Sequence, residues 1–131
     1  MSSIFTKIIN GEIPSYKISE NDKFYAFLDI SPLSKGHTLV IPKVEIDYVF
    51  DLDNELLGEM MIFSKKVAKA IEAVIPCNRI GVAVIGLEVP HAHIHLVPIN
   101  GMGDLNFSNP KLSLSTKEFT EIARLIKSKL L

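Results

Sequence analysis

The sequence predicts an α+β domain built on a mainly antiparallel sheet, with one long helix and a C-terminal helix. Three observations lead there. Short runs rich in β-branched and aromatic residues come in pairs separated by turn-length spacers. One long i, i+3/i+4 apolar stripe occupies the middle of the chain, and a second, preceded by a capping pattern, closes it. At 131 residues with 47% hydrophobic content, the chain suits one core, and 1–131 reads as one domain without repeat or linker.

Ser3 ahead of Ile4, Phe5, Ile8 and Ile9 predicts a short capped helix closed by Asn10-Gly11. The runs at 16–19 and 23–28 flank Glu20-Asn21-Asp22, a spacer suited to a hairpin turn. Pro32 to Gly36 reads as a loop, and His37 to Ile41 as a β-branched strand stopped by Pro42. Asp51 or Asp53 caps the long helix, whose stripe is Leu56, Met60, Phe63, Val67, Ile71 and Val74, ending near Pro76. Its surface around Met60 and Phe63 is a candidate for self-association. Residues 80–85 and 91–97 read as a final strand pair near the sheet centre, joined by a short turn around Gly86. After an Asn- and Gly-rich loop, Ser115 and Glu118 form a capping box for a last helix carrying Phe119, Ile122, Leu125, Ile126 and Leu130.

A formal charge of −1 supplies no overall attraction for nucleic acid or an anionic membrane, so any anion has to be recognised locally. The single cysteine, Cys77, cannot form an internal disulfide. With no signal peptide and no apolar run of spanning length, a reducing cytoplasm is the expected location.

The most informative stretch is Val89-Pro90-His91-Ala92-His93-Ile94-His95-Leu96-Val97-Pro98, because the chain has only one other histidine, His37. On a strand, alternate side chains share a face, so three imidazoles stand in a row with Ala92, Ile94 and Leu96 behind them. On a helix His93 would point away from the other two, and seven residues between prolines make a poor helix. Three readings compete: a polar outer face, a metal site of neutral imidazoles, and nucleophilic catalysis on phosphorus. In the last, one ring attacks the phosphoryl centre while its neighbours donate to phosphate oxygens or to the departing group. The carboxylate and cysteine neighbours usual in metal sites are not evident nearby, Glu88 being the nearest, so no metal or other cofactor is expected.

His91 to Val97 resembles the signature of the histidine triad, or HIT, nucleotide-binding hydrolases, in which histidine alternates with apolar residues. Residues 3–9, Gly11-Glu12-Ile13-Pro14, 26–32 and 36–43 resemble the family's other segments in order and spacing, closest to its small Hint-like branch. The resemblance implies a HIT-like fold, a homodimer and a purine nucleotide substrate. It assigns His93 to attack on the α-phosphate, forming a nucleotidyl-histidine, and His95 to the phosphate and leaving group. His37 and His91 complete the cluster, Asp29 accepts the ribose hydroxyls, and Phe5, Ile8, Phe27 and Ile30 wall the base. The implied reaction is cleavage of a P–N or P–O bond at a nucleoside monophosphoryl group, of purine nucleoside phosphoramidate or acyl-adenylate type. Hydrolysis of dinucleoside polyphosphates and nucleotide binding without catalysis are the alternatives.

Two departures stand out. The family's zinc-binding version carries Cys-Ile-Phe-Cys and a histidine soon after Ile-Pro-Lys, where this chain has Ser3-Ile4-Phe5-Thr6 and Glu45. The segment Ile85-Gly86-Leu87-Glu88-Val89-Pro90 is shorter than the family's Gly-rich loop and lacks its asparagine and hydroxyl residue. It places Glu88 on the leaving-group side, where a carboxylate repels polyphosphates and attracts a cationic group.

Overall fold

Alternation decides which way each strand faces, and it does so on both sides of one sheet. The protein is described as a computed structural model over residues 2–130. Five strands, β1 (Lys17–Glu20), β2 (Phe24–Leu28), β3 (Thr38–Pro42), β4 (Arg79–Ala83) and β5 (Ile94–Ile99), lie in the order β1-β2-β3-β5-β4. All neighbours are antiparallel, as expected for an α+β domain.

One sheet face packs on two helices, α2 (Asn54–Glu72) and α3 (Thr116–Lys127). Phe24, Ala26 and Leu28 of β2, Val40 of β3 and Ile94 and Leu96 of β5 meet Met60, Phe63, Val67 and Ile71 of α2 and Phe119, Ile122 and Ile126 of α3. Each large side chain fully buried there contributes about 1.5–3 kcal/mol. The opposite face sends Tyr25, Phe27, Leu39 and Ile41 against Phe5 and Ile8 of the short helix α1 (Ile4–Ile9). The histidines emerge on this second face.

The helix starts match their sequence signals. Ser3 caps α1 by accepting from the Thr6 N–H, Asp53 caps α2 through Leu56, and Ser115 and Glu118 form the capping box of α3. Asp51 instead lies in a 3-10 turn at Val49–Asp51, and α2 stops at Glu72, ahead of the predicted end.

Three expectations are corrected. β4 is an edge strand rather than central, because β5 inserts between it and β3. Strand β5 begins at Ile94, so ten residues, 84–93, join it to β4 in place of a short turn, and His91 and His93 lie in the extended lead-in. Met60 and Phe63 are buried against the sheet, so they form no exposed surface; Met61 and Ile62 are the exposed apolar residues beside them.

Candidate active site

The two strand ends that carry the histidines are brought together by register. Beyond the last β2–β3 pair the Asp29 N–H donates to the His37 carbonyl at 2.9 Å, which places an acid and an imidazole eight residues apart side by side. Gly36, at φ +90°, makes the turn into β3; a Cβ there would lie 2.9 Å from Ile75 Cγ1, so glycine fits on both counts. Leu39 pairs with His95, so His37 stands diagonally from His95 on the same face. The lead-in to β5 is held by the Ala92 N–H donating to the Ile46 carbonyl at 2.7 Å.

Hydrogen bonds to main-chain groups determine where each imidazole keeps its proton. The His93 Nδ1 lies 2.7 Å from the His91 carbonyl, which can only accept, so Nδ1 carries the hydrogen and Nε2 keeps its lone pair. His37 is fixed from the other side: its Nδ1 accepts the Leu33 N–H at 3.0 Å, so its hydrogen sits on Nε2 and is donated to His95 Nδ1 at 3.0 Å. His95 then carries its own hydrogen on Nε2. The result is one ring with a bare nitrogen, His93, beside one with a free N–H, His95, their centroids 5.0 Å apart.

His91 is a fixture. Its Nε2 donates to the Pro42 carbonyl at 2.8 Å and its Nδ1 accepts from the Ser3 hydroxyl at 2.7 Å. Glu45 Oε1 accepts from the Ser3 N–H and the Thr6 hydroxyl, both at 2.6 Å. The residues standing where zinc ligands would be expected thus tie α1 to His91 by hydrogen bonds.

Burial pushes the His37 imidazole down to about 3, with the neighbouring His95 adding to it, and the His95 imidazole down to about 4. Burial also lowers His91, opposed by its bond to Pro42. These three rings are therefore uncharged at neutral pH. Asp29 is shifted upward by burial, with the Ser31 N–H on its Oδ1 at 2.8 Å opposing the shift.

These groups line a cleft of about 390 Å3 together with Phe5, Leu39, Phe107, Lys111 and the 85–89 segment. Of the predicted residues, Phe5, Asp29, Glu88, His93 and His95 reach the cleft wall. Phe5 sits edge-on to His93 at 5.1 Å. Ile8 and Phe27 are packed behind Phe5, and Ile30 is 71% exposed, away from the cleft wall. His37 and His91 stand behind the wall, His37 hydrogen-bonded to His95 and the His91 carbonyl to His93. Phe107 and Lys111 were not foreseen. Phe107, whose ring lies 4.7 Å from that of His95, is a lone aromatic in the polar run Asn106-Phe107-Ser108-Asn109, the one signal that could have marked it.

Asp29, His37 and His95 each offer a ligand atom within 4.8 Å of the others. A metal there would need the His37 Nε2 lone pair, but Nε2 holds the proton because Nδ1 faces the Leu33 N–H. The hydrogen bonds favour proton handling over coordination.

A model of the HIT domain family matches residues 10–102, well over half the chain. The chain belongs to the HIT family. This HIT chain is 37% identical to the adenosine 5'-monophosphoramidase of Schizosaccharomyces pombe over 135 aligned positions, 99% of each protein. It is 41% identical to that of Saccharomyces cerevisiae over 99 positions, 72% of this chain and 61% of the yeast protein. Among solved structures, a Hit-like protein from Bartonella henselae superposes with a TM-score of 0.84 at 32% identity, over 98% of this HIT chain and 96% of that one.

Proposed function

We propose that this protein is a nucleotide hydrolase that cleaves the P–N bond of a purine nucleoside phosphoramidate through a nucleotidyl-His93 intermediate. The observation that carries the reading is the bare Nε2 of His93, held by the bond from its Nδ1–H to the His91 carbonyl at 2.7 Å. The names of the two yeast relatives support the substrate class.

In the first step the His93 Nε2 lone pair forms a bond to phosphorus and the P–N bond breaks towards nitrogen. The departing nitrogen takes the His95 Nε2 hydrogen. Water then attacks the same phosphorus and gives its proton to the emptied His95 Nε2, the bond to His93 breaks, and the nucleoside monophosphate leaves. On the nucleoside side, the Asp29 oxygen not engaged by Ser31 accepts a ribose hydroxyl. Phe5 contacts the base, with Ile8 and Phe27 backing it. Glu88, on the cleft wall, faces the leaving group and disfavours polyphosphates. The active unit is a homodimer, supported by the outer edge of β4, unpaired among the described residues, and the exposed Val82, Val84 and Ile85 beside it.

Mass spectrometry after incubation with adenosine phosphoramidate should show an adenylyl adduct on His93. His93→Ala should lose the adduct and at least about a thousandfold in turnover while keeping its far-UV circular dichroism. Unchanged hydrolysis by His93→Ala would overturn the assignment, and faster cleavage of diadenosine polyphosphate than of the phosphoramidate would overturn the substrate class.

A further inference from the structure

We propose that Lys111, in the segment after β5, is the cation that binds the substrate's phosphoryl group. The inference rests on the nucleotide reading above and assigns a phosphate-binding role to a residue outside the family-matched span 10–102.

Among the described residues lining the cleft, the formally charged side chains other than histidine are Asp29, Glu88 and Lys111, so two carboxylates meet one ammonium. His37 and His95 do not change that balance, since burial keeps both uncharged at neutral pH. An anionic phosphoryl group entering beside His93 therefore needs a positive partner, and Lys111 is the lysine or arginine on the wall.

The ammonium is held in advance. Its Nζ donates to the Phe107 carbonyl at 2.5 Å and to the Asn109 carbonyl at 2.9 Å, which leaves the third N–H of the ammonium for a ligand. The segment is fixed at both ends of this turn. The Leu112 N–H donates to the Pro32 carbonyl at 2.8 Å, close in sequence to Asp29, while Phe107 packs on His95 at 4.7 Å and on His37 at 6.1 Å. The charge is felt inside the site: it opposes the upward shift of Asp29 and adds to the downward shift of His37. A preset ammonium loses less side-chain freedom on binding than a loose one, so more of the ion pair remains as affinity.

The test compares AMP with adenosine, ligands that differ by the phosphoryl group, using titration calorimetry on the full chain. Lys111→Met, which keeps the aliphatic stem, should weaken AMP about tenfold and leave adenosine within about twofold, and Lys111→Arg should restore most of the AMP affinity. In the unmodified protein AMP binding should weaken with added salt, and this dependence should flatten in Lys111→Met. AMP affinity of Lys111→Met within twofold of the unmodified protein overturns the proposal. Equal losses for AMP and adenosine also overturn it, because they show Lys111 to be only a piece of wall. The comparison involves no chemistry, so absent turnover would count against the hydrolase reading and leave the test of Lys111 intact.

Discussion

Lowering the pH from 7.5 to 5.0 should cost this fold about 4 kcal/mol, from two imidazoles alone. In the unfolded chain a histidine titrates near 6.5, whereas folded His37 is held down to about 3 and folded His95 to about 4. The unfolded state thus binds protons that the native state refuses. Stability from this source is complete above pH 6.5 and is lost as the pH falls towards 4. At pH 5.0 the unfolded rings are almost fully protonated and the folded ones hardly at all, so each contributes a loss of about 2 kcal/mol. Both side chains are more than nine-tenths buried, so solvent does little to screen the effect. The lowered His91 adds in the same direction; the raised Asp29 works against it, at lower pH. Urea unfolding followed by far-UV circular dichroism at half-unit pH steps measures the slope. His37→Asn should keep an acceptor for the Leu33 N–H while removing one of the two terms, so its loss over the same interval should be about half. A stability flat from pH 7.5 to 5.0, or an unchanged slope in His37→Asn, would refute the reasoning. A drop confined to below about pH 4.5 would assign the effect to carboxylates such as Glu45 instead.

Two further outcomes follow from other parts of the structure. Ser3→Ala removes both the cap of α1 and the hydroxyl donor to buried His91 Nδ1, so urea unfolding should show a loss of about 2–3 kcal/mol, with Ser3→Thr retaining most of the stability. Analytical ultracentrifugation at about 50 µM should find the unmodified chain as a dimer and Val82→Lys shifted towards monomer, the lysine lying on the edge strand; a monomeric unmodified chain would end the homodimer reading.

Much of the site was legible because its key residues are near neighbours. Alternation in His91, His93 and His95 depends only on extended backbone, and that held even though β5 begins at Ile94. Ala92, Ile94 and Leu96 pack on the helix side as the pattern required. Long-range pairing was harder to read. Nothing within residues 80–97 says that β3 pairs with β5, which is what pushes β4 to the edge. On α2, Met60 and Met61 are alike in composition, and only the phase of the helix against the sheet buries the first and exposes the second. Phe107 and Lys111 reach the cleft by the path of an irregular loop, which has no periodicity to reveal it. The contact between Ser3 and His91 spans 88 positions and joins two residues whose individual patterns suggest only a cap and a strand.

The protonation pattern of the four rings is written by main-chain atoms: the Leu33 amide at one end, and the His91 and Pro42 carbonyls at the other. A backbone amide or carbonyl belongs to no residue type, so an inventory of side chains can be complete and still lack the instruction that leaves a bare nitrogen on His93 and an N–H on His95. Grafting the four histidines onto another scaffold would carry over the alphabet without the grammar. The smallest transferable unit is the pair of backbone paths, 29–46 and 89–95, with the rings attached.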